Sequence, residues 1–335
     1  MTYDGIAASP QRPLKVLAII PGSETKSSFI FARRQMSMVA ECGVDVRLFW
    51  LGERTSPGGL LAELARLRRE IASVKPDIVH AHYGTVTALV AALAGGPPLV
   101  ITYRGSDLNG SAEVSGLRSR MGVLMSQVAA LRAAGIISVS TRLSRLLWWR
   151  KGGVVVIPSG VDIDVFHPMP RNQARAMLGW PLDERVILFN SGSRAKVKRL
   201  DIAQAAAAAV LPLVPGSRLE VLYGGVDTEQ IAIYMNAADC LLLTSEAEGS
   251  PNVIKEALAC NLPIVSVDVG DVRERMEGVT PGAIVDREVP QLARAIAALL
   301  EHPARSNGQH AVASISTRRV AERIIEVYQR VLAPR

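Results

Sequence analysis

Two carboxylates, Glu248 and Glu256, stand eight residues apart on either side of a junction where a loop gives way to a helix. Ser250 suits the N-cap of that helix and Pro251 its first position, where a missing N–H does no harm. The first turn then presents unpaired amides at Asn252 and Val253, just after Gly249 and Ser250. Such a helix end carries a partial positive charge and binds phosphate well. Glu248 lies in the loop before it, and Glu256 about one and a half turns inside the helix. Both can accept hydrogen bonds from hydroxyls of a ligand whose diphosphate rests between them. That combination describes a nucleotide-sugar site, whereas an isolated glutamate pair on a helix describes a solvated face.

Residues so placed need strands to hold them. Asp239-Cys-Leu-Leu-Leu-Thr-Ser before the pair and Leu262-Pro-Ile-Val-Ser-Val-Asp-Val-Gly270 after it read as buried strands. The same alternation runs through the whole chain. In the first half, Lys15 to Ile20, Val44 to Phe49, Pro76 to His82, Leu99 to Tyr103, Gly135 to Val139 and Val154 to Ile157 carry strand patterns. Helices fall at about Phe29 to Cys42 and Leu60 to Val74. The turn-rich stretch Pro158 to Pro170 has no periodicity and reads as a linker. Beyond it, Arg185 to Phe189, Arg218 to Tyr223, Asp239 to Thr244, Pro263 to Val267 and Gly282 to Val285 are strands. An Ala-rich helix covers Ile202 to Leu211, and a helical tail runs from about Thr317 to Val331. The expectation is an α/β chain with two Rossmann-like, doubly wound parallel sheets, in which ligands bind beyond the carboxyl ends of the strands. The expected divisions are 1–160, 161–316 and a final helix within 317–335.

Composition agrees with two domains. A chain of 335 residues exceeds what one compact core usually holds, and 49% apolar with only 4% aromatic residues suits parallel strands buried on both faces. Cys42, Cys240 and Cys260 are widely spaced, which argues against a disulfide framework or a zinc cluster and fits a reducing cytoplasm. No signal peptide is evident, because the first apolar run, Val16 to Ile20, stops at Pro21-Gly22, and no run approaches bilayer length. The formal charge of +7 favours an acidic ligand or surface. Without aromatic interleaving or a nucleic-acid-binding motif, the basic residues do not describe a nucleic-acid partner.

The E-x7-E segment and its flanking strands closely resemble the signature of the family-four retaining glycosyltransferases, which have the GT-B fold of two Rossmann-like domains facing a cleft. The resemblance runs from Lys15 to the terminal helix. It implies transfer of a sugar from a nucleotide diphosphate donor to a glycan or lipid-linked acceptor, with retained configuration, no metal and no separate cofactor. Glu256 would hold the ribose and Glu248 the donor sugar. Lys198, followed by Arg-Leu-Asp-Ile-Ala, matches the family lysine that binds the donor diphosphate in a G-R-x-x-x-x-K segment, here opened by Gly192. Arg194 lies four residues before Lys198 rather than five, with Ser193 in the strict arginine position and Lys196 and Arg199 as further cations. Thr102-Tyr-Arg104-Gly-Ser-Asp107 resembles the family's His-Gly-x-Asp, with Arg104 replacing the histidine near the reacting sugar. An arginine there would steady developing phosphate charge. Asp107 either caps the next helix or faces the ligand. The loop Pro21 to Ser28 takes the place of the family's glycine-rich acceptor-side loop, with Gly22 and Ser28 as its candidates. In this fold the tail helix usually crosses back to the first domain. The chain is similar in this to enzymes making teichuronic acids and other bacterial surface polysaccharides. A nucleotide-sugar epimerase of the same fold, or a non-catalytic nucleotide-sugar binding protein, is the alternative.

Other constellations are weaker. His80 and His82 share one face of a strand but lack a third metal ligand. Asp162-Ile-Asp164 has the form of the D-x-D metal motif of the GT-A fold, yet it sits in the linker. No G-x-G-x-x-G follows the first strand, which disfavours a dehydrogenase. Leu60, Leu61, Leu64, Leu67 and Ile71 form an apolar stripe beside Arg66, Arg68 and Arg69. It reads first as core packing and second as peripheral contact with the inner face of a membrane.

Overall fold

The computed structural model describes residues 12–24, 29–52, 56–110, 114–149, 151–192 and 195–334. The first half runs β1 (Lys15–Pro21), α1 (Ile30–Glu41), β2 (Asp45–Leu51), α2 (Pro57–Val74), β3 (Ile78–His82), α3 (Thr85–Ala94) and β4 (Leu99–Tyr103). It continues with α4 (Ser106–Asn109), α5 (Gly116–Arg132), β5 (Gly135–Ser138), α6 (Thr141–Ser144) and β6 (Val154–Val156). The second half runs α7 (Arg171–Leu178), β7 (Arg185–Gly192), α8 (Ala195–Lys198), α9 (Leu200–Val210), β8 (Ser217–Tyr223), α10 (Thr228–Ala237) and β9 (Cys240–Leu243). Then come α11 (Asn252–Ala259), β10 (Ile264–Ser266), α12 (Val272–Arg275), β11 (Gly282–Ile284), α13 (Val289–Glu301), α14 (Gln309–Val312) and α15 (Thr317–Leu332).

The strands form two parallel sheets, ordered β2-β1-β3-β4-β5-β6 and β11-β10-β9-β7-β8. Strands β3, β4 and β9 are buried along their whole length, as expected where helices cover both faces. Strand order reverses between β1 and β3 in the first sheet and between β7 and β9 in the second. At such a reversal the two neighbouring crossovers leave in opposite directions, and a crevice opens at the carboxyl ends of the strands. Both loops that carry the candidate donor residues, one after β7 and one after β9, open onto the second crevice.

One face of the first sheet, with Leu17, Ile19, Val79 and Ile101, packs beneath α2, α3 and α5. The other face is covered by α1 and by α15, whose buried side includes Val320, Ile324, Val327 and Tyr328. Tyr328 Oη lies 2.6 Å from His80 Nδ1, and Arg323 donates to the Val156 carbonyl at 2.7 Å. The last helix therefore lies against the first sheet although it follows the second in sequence. Its start is fixed by a bridge between Val161 and Ser316 and by the Ser316 hydroxyl, which caps the first turn.

Candidate active site

Because β7 and β9 are neighbours, the loops leaving them meet. Thr244 Oγ1 donates to the carbonyls of Lys198 (2.8 Å) and Arg199 (3.0 Å), and the Glu246 amide donates to the Val197 carbonyl (2.9 Å). From the other side Arg287 donates to the carbonyls of Thr244 (3.1 Å) and Ser245 (2.7 Å). These bonds set Lys198 Nζ 2.5 Å from Glu248 Oε1, which also accepts from Ser245 Oγ at 2.9 Å. The two side chains are 19% and 16% exposed, so the pair is partly withdrawn from water yet still accessible. A cavity of about 390 Å³ at the ends of β10 and β11, lined by Asp268, Arg273 and Asp286, touches this site through Arg287.

Helix α11 begins at Asn252 with Pro251 as N-cap, which corrects the expectation that Ser250 would cap it. The Ser250 hydroxyl instead donates to Asp271 Oδ2 (2.8 Å) and accepts from Lys255 Nζ (3.0 Å). Hydrogen bonds to charged groups are roughly twice as strong as neutral ones, so this buried network outcompetes a local cap. The first-turn amides consequently receive no side-chain cap, and the Asn252 Oδ1 atom is buried without a partner among the described residues. Glu256 is the fifth helical residue, little more than one turn in. Its carboxylate makes no hydrogen bond or ion pair among the described residues. Burial raises its pKa, opposed by the positive charges of Lys255, Arg34 and Lys198.

Lys255 escaped the sequence reading. It is fully buried, and its ammonium donates to the Ser159 carbonyl (2.9 Å) as well as to Ser250. It thus ties α11 to the linker, and burial lowers its pKa to about 8. The signal was present: Val253, Ile254, Ala257, Leu258 and Ala259 are apolar neighbours of Lys255 along the helix, and a cation buried among them must find acceptors.

The first half approaches from above this loop. A Cβ at Gly249 would overlap the carbonyl oxygen of Arg104, so only glycine permits the two loops to meet so closely. The Arg104 guanidinium donates to Gln35 Oε1 (2.6 Å), contacts His82 Nδ1 (2.9 Å), lies over the Phe31 ring and leaves Nε without a partner among the described residues. Burial lowers its pKa to about 10. Asp107 is a scaffold group rather than a ligand contact, since its carboxylate accepts the amides of Gly84 (2.9 Å), Arg104 (3.0 Å) and Gly105 (2.7 Å). Arg34 reaches across the cleft to Thr228 Oγ1 at 2.6 Å. His80 is held between Tyr328 and Thr102 (2.7 Å), and burial lowers its pKa to about 3, while His82 Nε2 has no partner among the described residues.

Several candidates fall elsewhere. The Gly22 amide donates to the Leu51 carbonyl (2.9 Å) and the Gly192 amide to Asn190 Oδ1 (3.1 Å), so neither amide is an open donor. Both glycines have positive φ, which explains the residue type by backbone shape. Lys196 points to solvent and Arg199 pairs with Asp201 at 2.7 Å. Arg194, Ser193 and Ser28 lie outside the described residues. Asp162 Oδ1 accepts the amides of Asp164 (3.1 Å) and Val165 (3.3 Å), which makes the D-x-D a turn within the linker.

Known proteins are similar to this chain in sequence and in fold. Residues 14–160 match the model of a glycosyl transferase 4-like domain, and residues 187–302 that of glycosyl transferases group 1. The chain is 29% identical to D-inositol 3-phosphate glycosyltransferase 1 of Catenulispora acidiphila over 303 residues, spanning 76% of this chain and 72% of that one. It is 27% identical to the putative teichuronic acid biosynthesis glycosyltransferase TuaC of Bacillus subtilis over 216 residues, 59% of this chain and 54% of TuaC. The structure of Anabaena HepE in complex with UDP superposes with a TM-score of 0.73 at 18% identity, covering 95% of this chain and 100% of that one. With both of its sheets matched in sequence and in shape, the chain belongs to the glycosyltransferases of GT-B fold that join a glycosyl transferase 4-like domain to a group 1 domain.

Proposed function

We propose that this glycosyltransferase moves a sugar from a nucleotide diphosphate donor to a hydroxyl of a glycan or lipid-linked acceptor, retaining the anomeric configuration, during synthesis of a cell-surface polysaccharide. The observation that carries the reading is Lys198 resting on Glu248 beside the uncapped start of α11, with the Glu256 carboxylate, unpaired among the described residues, one turn further on. When the glycosidic C–O bond breaks, the electron pair leaves with the β-phosphate. Lys198 then exchanges a carboxylate for phosphate oxygens, and the amides of Asn252 and Val253 add fixed positive dipoles. Arg194 and Arg104 supply further positive charge to the same phosphate. Glu248, released by Lys198, accepts from the sugar hydroxyls, and Glu256 from the ribose. The cation and amide set neutralises the leaving group without calling on a metal. The linker at 160/161 divides an acceptor-side domain from a donor domain, and the acceptor reaches the cleft from the first sheet. A lipid-linked acceptor would place the enzyme at the cytoplasmic face of a membrane as a peripheral protein.

A thermal-shift screen of nucleotide diphosphates and their sugars tests the donor site, since a ligand bound to the native state raises apparent stability by mass action. One nucleotide series should stabilise strongly. Proton NMR of the product's anomeric coupling then reads retention, and EDTA should leave turnover intact. Stabilisation with release of an epimerised sugar and no transfer would instead identify an epimerase.

A further inference from the structure

Helix α2, whose stripe and arginines suggested a membrane contact, is committed elsewhere. Leu60, Leu64, Leu67 and Ile71 pack into the core of the first sheet. Arg66 lies over the Phe49 ring and bonds the Trp50 carbonyl, and Arg68 donates to the Leu93 carbonyl at 2.9 Å. Helix α5 is built the opposite way. Its buried face is small or polar, with Ser126, Gln127, Ala129 and Ala130, whereas Leu117, Met121, Leu124, Val128 and Leu131 are exposed. Their spacing of three and four residues aligns them in one stripe. Leu117 is 73% exposed, and such a row of bulky apolar side chains calls for a covering partner.

Gln127 fastens a second segment beside the stripe. Its side chain donates to the Leu146 carbonyl (3.0 Å) and accepts the Trp148 amide (3.0 Å), and its carbonyl accepts from Trp149 Nε1 (2.8 Å). Leu146 and Trp148 remain exposed, the latter by 56%. Met125 carries the apolar surface on into a cleft of about 330 Å³ between α2, α3 and α5, lined by Leu61, Leu64, Leu89 and Leu93. Around this surface Arg118, Arg120, Arg132, Arg142 and Arg145 are exposed, and residues 114–149 contain no Asp or Glu. None of these arginines makes an ion pair among the described residues.

We infer that the face formed by α5 and residues 146–148 docks onto an anionic lipid bilayer. Leucines, a methionine and a tryptophan inserting at the headgroup boundary, ringed by arginines, are the composition of an interfacial helix. A second copy of the chain is a poorer occupant, because pairing this face with itself would bring two acid-free arginine clusters together. The inference goes beyond the transfer reaction and is read without substrate, so its failure leaves the donor site untouched.

Vesicle sedimentation of the full chain decides the matter. Wild type should partition onto vesicles containing phosphatidylglycerol and scarcely onto pure phosphatidylcholine, with binding weakened by salt. Leu124→Glu should lower the partition at least tenfold, and each of R118Q and R132Q by roughly fivefold. Tryptophan emission should shift to the blue on vesicles in wild type and much less in W148F. An unchanged circular dichroism spectrum and melting temperature would show that each variant is folded. Negligible pelleting of wild type on both vesicle types at low salt would overturn the inference. So would pelleting that L124E leaves intact, or a dimer in light scattering that L124E disperses while vesicles bind nothing.

Discussion

A cluster of cations and carboxylates at the base of β9 and another around the cleft are finished to different degrees. At the base of β9, Arg175 donates from Nε to the Ala237 carbonyl (2.9 Å), from one terminal nitrogen to Pro181 (2.6 Å) and Glu184 (2.9 Å), and from the other to Asp239 (2.9 Å). Asp239 also accepts the Val186 amide at 2.7 Å and pairs with Arg171 at 2.7 Å. Among the described residues, only Arg171 Nε is left over there. Around the cleft, by contrast, Arg104 Nε, His82 Nε2, Asn252 Oδ1 and Asp271 Oδ1 are all buried without partners among the described residues. A buried polar atom left unpaired costs about 1–3 kcal/mol. A cluster that serves as scaffold removes such costs, while one that awaits a ligand retains them at the positions the ligand will satisfy.

The sharpest way to break that contrast is Arg175→Met. Removing Arg175 leaves Asp239 to Arg171 and the Val186 amide and strips the carbonyls of Ala237, Pro181 and Glu184 of its donors, and the expected loss is about 3–5 kcal/mol of stability in urea unfolding. A loss below 1 kcal/mol would mean that the network at β9 is not the scaffold described. Lys198→Ala should behave in the opposite manner. Its partner Glu248 is partly exposed and keeps Ser245, so stability should change by less than about 1 kcal/mol. Turnover should fall roughly a hundred- to a thousandfold, about 3–4 kcal/mol of transition-state stabilisation. Equal activity in the variant would remove Lys198 from the phosphate site.

Glu256 separates binding from stability more finely. Its folded pKa is raised, so its ionised form costs stability above its ordinary titration range, and that cost is absent only at lower pH. Glu256→Gln should therefore melt at the same temperature as wild type or higher at neutral pH. Glu256→Ala should nevertheless weaken nucleoside diphosphate binding by about 1.5–3 kcal/mol in calorimetry, as a charge-assisted hydrogen bond to the ribose is lost. Unchanged affinity in a folded variant would count against the ribose contact.

The scaffold was more legible in the sequence than the cleft, for physical reasons. Parallel strands buried on both faces are short continuous apolar runs, and Leu99–Tyr103 emerges with the limits its composition suggests. Strand β7 runs past Phe189 to Gly192 because its polar end pairs with β8 across a register shift, which apolar content does not report. Ser250 follows the local rule for a cap, yet Asp271, twenty-one residues away, takes its hydroxyl. Helix α5 was overlooked for a related reason. Periodicity assigns bulky apolar residues to the inside, and this helix turns them out.

Lys255 allows the smallest and most diagnostic test. Its folded pKa, lowered to about 8 from 10.5, means that the unfolded chain binds more protons between those values. Stability should then rise with pH across that window, by about 1 kcal/mol between pH 8 and pH 9, as the buried ammonium loses its proton. Below pH 8 the charged form persists, held by Ser159 and Ser250 at the cost of its burial. Lys255→Met should flatten this rise while leaving the remainder of the pH profile in place. It should also loosen the Glu248–Pro251 loop from the linker, raising KM for the donor more than it lowers kcat. A difference curve between wild type and variant that stays flat from pH 8 to 9 would mean that Lys255 is not buried as a cation. A donor KM unmoved in the same variant would mean that the loop is held by Asp271 and Gly249 alone.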